Sequence, residues 1–93
     1  FVGMFTRQIR IVGEAVQPKE IPYRASMSAL DVMIAVGGLT KYADGDRTVL
    51  VRPVGGAQKQ YRVHLDSLVR DGDVSQNVEM QPGDILIIPQ RYF

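Results

Sequence analysis

One stretch limits what this chain can fold into more than any other: Ser28-Ala29-Leu30-Asp31-Val32-Met33-Ile34-Ala35-Val36-Gly37-Gly38-Leu39-Thr40. After Ser28 the residues are apolar except for Asp31, until two glycines stop the run. Leu30, Met33, Ile34 and Gly37 follow helical spacing, and Val32 and Val36 cover the neighbouring face. A short helix that is apolar nearly all round is expected to be buried, so the pattern predicts a single core helix. Ser28 is placed to cap its first turn, with Asp31 returning the capping bond. Gly37 or Gly38 supplies the left-handed residue that closes a helix. The rest of the chain must then wrap over this element.

The flanking segments read mostly as strands. Arg7-Gln8-Ile9-Arg10-Ile11-Val12 alternates polar and apolar residues, the mark of a strand with one buried face, until Gly13-Glu14 breaks the pattern. Gln17-Pro18-Lys19-Glu20 reads as a turn into a short strand, Ile21-Pro22-Tyr23, which Pro22 assigns to a sheet edge. Beyond the helix, Tyr42-Ala43-Asp44-Gly45-Asp46 is turn-rich, and Thr48 to Arg52 is a β-branched strand that Pro53 is expected to end. Val54-Gly55-Gly56-Ala57 is a hairpin turn into a strand from Gln58 to His64. Leu65, Leu68 and Val69 at helical spacing predict one short turn from Asp66 to Arg70, closed by Asp71-Gly72-Asp73. Asn77-Val78-Glu79-Met80 is brief and extended. Gln81-Pro82-Gly83-Asp84 is a turn before Ile85-Leu86-Ile87-Ile88, a strand with no polar face that must be covered on both sides or lie mid-sheet. The order is hairpin, helix, strand, strand, helical turn, strand. It predicts a two-layer α+β domain with a mixed sheet on one main helix, the β-grasp arrangement.

The 93 residues suit one domain, 1–93, with a single core. Eleven basic and ten acidic residues alternate along the chain without a basic block, so no nucleic-acid or anionic-membrane surface is expected. No apolar run approaches the roughly 18 residues of a membrane span. The absence of cysteine excludes disulfides, thiolate nucleophiles and Cys-type zinc sites within this segment. The opening Phe1-Val2-Gly3, without an initiator methionine or signal-like pattern, suggests a fragment of a longer protein.

Three motifs carry a resemblance: Val12-Gly13-Glu14-Ala15-Val16-Gln17-Pro18, Leu30 to Thr40 with its Gly37-Gly38 pair, and Gln81-Pro82-Gly83-Asp84-Ile85-Leu86-Ile87-Ile88-Pro89. In this order they resemble the signatures of the soluble-ligand-binding β-grasp (SLBB) domain, more narrowly that of the periplasmic polysaccharide export proteins of Gram-negative bacteria. Arg7-Gln8-Ile9-Arg10 and the ending Ile88 to Phe93 are similar to exporters found with exosortase-type exopolysaccharide clusters, whose chains stop near this point. Gly13, Glu14, Pro18, Gly37, Gly38, Pro82, Gly83 and Asp84 are the motif positions. The family often places glycine after the proline of the first motif; here Lys19 follows Pro18, so this turn must avoid a conformation that needs glycine, or Lys19 must tolerate it.

The resemblance implies the C-terminal part of a longer export protein. Its subunits would form a ring at the outer membrane through which exopolysaccharide leaves the periplasm, and the domain would contact neighbouring subunits and the polymer. A stand-alone carbohydrate-binding module is the alternative.

No enzyme is expected, because no nucleophile, base and orienting group can be assembled from the residues present. His64 is the only histidine and lacks companion ligands, so neither a metal nor a cofactor is expected. Asp44-Gly45-Asp46 and Asp71-Gly72-Asp73 read as turns, since neither continues into a calcium loop. Gly37-Gly38 and Gly55-Gly56 lack the lysine and helix start of a phosphate loop. Tyr23, Tyr42, Tyr61 and Tyr92 are scattered and read first as packing residues. Among Arg7, Arg10, Arg24, Arg52 and Arg62, alternation predicts Arg10, Arg52 and Arg62 on outer strand faces, where they could meet an acidic polymer or a neighbour's carboxylates. Arg10, Tyr42, Arg52 and Arg62 are the contact candidates, with a working surface expected on the loops beside Gly38 and Tyr42.

Overall fold

The computed structural model describes residues 8–91; Arg7, Tyr92 and Phe93, which entered the sequence reading, lie outside them. Five strands form one mixed sheet: β1 (Gln8–Gly13), β2 (Glu20–Pro22), β3 (Thr48–Val54), β4 (Ala57–Val63) and β5 (Ile85–Ile88), in spatial order β2-β1-β5-β3-β4. β1 and β5 run parallel, and every other pairing is antiparallel. Helix α1 (Ala29–Val36) packs on one face, and a second short helix, α2 (Leu65–Val69), sits beside it. This is an α+β fold, the β-grasp arrangement. β5 lies mid-sheet, with Leu86 and Ile88 buried and Ile87 exposed on the open face, and the short strand with Pro22 lies at an edge. Among the described residues no helix is long and apolar enough to cross a membrane.

α1 starts where its cap residues require. Ser28 Oγ accepts from the Asp31 amide, and Asp31 Oδ2 accepts from the Ser28 amide at 3.0 Å. The two remaining free amides of the first turn are also satisfied, Ala29 by the Val78 carbonyl and Leu30 by Asn77 Oδ1. The extended piece around Val78 therefore caps the helix instead of joining the sheet. Gly37, at φ +79°, ends it.

Ala29, Val32, Met33 and Val36 are buried against Ile9, Ile11, Leu50, Leu86 and Ile88 of the sheet. The expectation of a helix buried all round is corrected here. Leu30 is 36% exposed and Ile34 73%, because the domain has two layers and no described residue covers the far side of α1. Pro53 also fails to end β3, which continues to Val54 and pairs Pro53 with Gln58. β5 reaches β3 only from Val49 to Val51, so Pro53 sits past the point where a central ladder would demand its missing N–H.

The three motifs meet in space. A Cβ on Gly13, whose φ is +102°, would lie 2.1 Å from the Ile88 carbonyl oxygen, so strand β1 can approach β5 there only through glycine. Glu14 Oε1 accepts from the Thr40 hydroxyl at 2.9 Å, while the Thr40 amide donates to the Glu14 carbonyl. The Val16 amide donates to Gly38. Pro18 is exposed in the turn before β2, and Lys19 keeps a negative φ, so that turn does avoid the glycine conformation.

A groove between the edge strand and the Pro-Gly-Asp turn

Gln81-Pro82-Gly83-Asp84 closes on itself through a bond from the Asp84 amide to the Gln81 carbonyl, with Pro82 at the second position and Gly83 at φ +87° at the third. The turn delivers the Asp84 side chain beneath the sheet, where it is 0% exposed. Its carboxylate accepts from the Gln81 amide at 2.7 Å and from Arg52 twice, Nε to Oδ1 at 3.1 Å and Nη2 to Oδ2 at 3.0 Å. This is a planar two-bond pair, the geometry that arginine and not lysine can make. Arg52 Nη2 also donates to the Glu79 carbonyl. The hydrogen bond to Asp84 holds the guanidinium charge above its already high ordinary range, outweighing its partial burial.

Beside this pair lies a groove of about 450 Å³ lined by Leu50, Arg52, Tyr61, Arg62, Val63, Val78, Glu79 and Gln81. It exists because β4 is an edge strand with only Val63 buried, and α1 does not extend over it. Leu50, Tyr61 and Val63 share the helix side of the sheet, since Leu50 pairs with Tyr61 and Thr48 with Val63. The Arg52 guanidinium stands over the Tyr61 ring, 5.5 Å from its centroid. The site thus combines an apolar floor, an aromatic wall 43% exposed, and a fixed arginine at one end.

Arg52 belongs to this groove and not to the outer face that alternation predicted. It follows Leu50 by two residues and therefore shares Leu50's side. Arg62 pairs with Val49 on the open side of the sheet and has no ion-pair partner among the described residues. Arg10, on that same open side, is bonded to Glu20 at 2.6 Å and is not a free cation. Tyr42 is remote from Arg52, at the other end of β5, where the Tyr42 carbonyl accepts from Arg91 and the next loop residue but one, Asp44, donates to Pro89. The structure brings Arg52 and Arg62 to one groove and leaves Arg10 and Tyr42 outside it.

Tyr61, Glu79 and Gln81 were missed as contact residues by the sequence reading. Tyr61 alternates with Val63 on a strand that is otherwise polar, a pattern that marks an aromatic on the core side of an edge. Glu79 and Gln81 carry no local signal, since they reach the groove only because the chain before the turn runs beside Arg52, which donates to the Glu79 carbonyl.

The Asp-Gly-Asp pairs are turns, as expected. Asp46 accepts from the amide and hydroxyl of Ser67, capping α2, where His64 makes no side-chain cap. Asp66 accepts from the Gly45 amide at 3.0 Å and from Arg91 at 3.0 Å. Asp73 caps the short helical turn Val74–Gln76, and its bonds from the Ser75 hydroxyl and amide lower its pKa. Among the described residues no group of three or more His, Asp or Glu side chains is placed to hold a metal ion.

A second hollow of about 340 Å³ on the far side of α1 is lined by Leu30, Met33, Ile34, Gly37, Gly38 and Val69, all apolar or glycine.

The model of the SLBB domain family matches residues 7–88, nearly the whole chain, and takes in the three motifs up to Ile88. SLBB domains are binding domains, generally without catalytic activity, which agrees with a groove that holds a fixed arginine and an aromatic wall. The chain belongs to the SLBB domain family.

Proposed function

We propose that this chain is the non-catalytic module of a polysaccharide export protein, working in the periplasm against the outer membrane, where copies of the full-length protein form a ring and the exported sugar chain is contacted in passing. The family match over residues 7–88 carries the reading, and the groove beside Tyr61 supports it as a place for a ligand to lie. The unpaired apolar side chains Leu30, Ile34 and Val69 support a role as a wall element, since exposed apolar surface of this kind favours contact between subunits. SLBB domains are generally non-catalytic binding domains, which supports a contribution through binding and assembly.

The test is genetic. Removing residues 7–88 from the full-length gene in its bacterium is expected to abolish secreted exopolysaccharide, with polymer retained inside the cell. Unchanged secretion overturns the export reading. Retained secretion with loss of polymer from the cell surface favours the stand-alone carbohydrate-binding module instead.

A further inference from the structure

We propose that the groove between β4 and the Val78–Gln81 segment receives one neutral pyranose unit of a polysaccharide and discriminates against uronate units. The proposal rests on the reading of the chain as a sugar-contacting module and adds the site and the charge class of its ligand. Charge balance within the groove carries it. The Arg52 cation is matched by Asp84 in the two-bond pair, so it offers hydrogen bonds without a free positive charge. Arg62 also lines the groove, but its pairing with Val49 directs its side chain to the face of β4 opposite Tyr61. Glu79 lines the groove near enough for its charge to act on Arg52, and a carboxylate-bearing sugar would meet that charge with repulsion.

The remaining surface suits a neutral sugar ring. Leu50, Val63, Val78 and the Tyr61 ring form an apolar strip for the C–H face of a pyranose. Arg52 uses Nε and Nη2 toward Asp84 and Glu79, leaving Nη1 with two donors that no described residue takes. With the Glu79 carboxylate and the Gln81 side chain they make a mixed set of donors and acceptors; hydroxyl groups can satisfy both kinds, whereas a carboxylate has no proton to donate to Glu79.

The 93-residue chain, labelled with nitrogen-15, is titrated with neutral hexasaccharides of glucose, galactose and mannose and with a galacturonate hexasaccharide. At least one neutral sugar is expected to shift the amides of Tyr61, Val63, Val78, Glu79 and Gln81, saturating in the millimolar range. Galacturonate is expected to bind at least tenfold more weakly. Tyr61→Ala should weaken the neutral sugar at least tenfold. Glu79→Gln should strengthen galacturonate several-fold, a gain that loss of packing would not produce. Tighter binding of galacturonate, shifts centred on another surface, or no shift with any of the sugars each overturns the proposal. The export reading stands or falls separately, on the secretion assay.

Discussion

Asp84 is the residue on which most of the site depends. A fully buried carboxylate is tolerated because its oxygens accept from Arg52 twice and from the Gln81 amide. Asp84→Asn keeps the shape but removes the charge and turns an amide donor toward the guanidinium. It is expected to cost about 3 kcal/mol, read from the midpoint of urea unfolding. Asp73 presents the reverse situation, an exposed carboxylate whose charged form is favoured by the Ser75 hydroxyl and amide. Its depressed pKa means that its stabilising contribution is complete above the unfolded-state value of about 4 and is lost as pH falls through the folded value. An NMR titration should place the Asp73 midpoint below that of an ordinary aspartate, and Ser75→Ala should move it upward.

At the scale of elements, the two helices are held at their starts in different ways. α1 carries its own capping box in Ser28 and Asp31, which the spacing in the chain predicts. α2 borrows its cap from Asp46, twenty-one residues away from Ser67, and no local pattern announces it. Asp46→Ala is expected to destabilise the domain by about 1 kcal/mol in thermal or urea unfolding, the usual loss for a helix cap. The two faces of α1 also differ. Val32→Ala, on the buried face, should cost about 2 kcal/mol, since its side chain has no solvent access in the native state. Ile34→Glu should stay within about 0.5 kcal/mol, because that side chain is already largely in water. Equal losses at the two positions would mean that the far side of the helix is covered after all.

The whole molecule is a two-layer domain with a projecting hairpin. β5 pairs with β3 only between Val49 and Val51; past Arg52, which Asp84 and the Glu79 carbonyl hold, and Pro53 beside Gly83, the tip of the β3–β4 hairpin is held by its own ladder. Amide exchange should therefore be slowest in β1 and β5, which the core residues Ile9, Ile11, Leu86 and Ile88 seal from solvent. It should be fastest around Gly55 and Gly56 at the hairpin tip. Uniform protection along β3 and β4 would show that the hairpin opens only with the rest of the domain. The groove lies toward the core end of this hairpin, beside Tyr61 and Val63, where a ligand would meet ordered strand and not the tip.

Much of the architecture was legible in the chain itself because it depends on neighbours in sequence. The Ser28–Asp31 cap, the Gly37 stop, the Gln81-Pro82-Gly83-Asp84 turn and the period-two strands are all written within a few residues. The motif glycine at position 13 was legible as a signature, but its cause, the Ile88 oxygen that a Cβ would strike, is seventy-five positions away. Which face of α1 stays in water, where β3 ends relative to Pro53, and which side of the sheet Arg52 occupies followed from how many layers cover each element and where β5 stops. The site was decided last and least locally. Arg52, Tyr61, Glu79 and Asp84 lie on four separate stretches, and only tertiary packing could neutralise one arginine, leave another without an ion-pair partner among the described residues, and set the Tyr61 ring under the first.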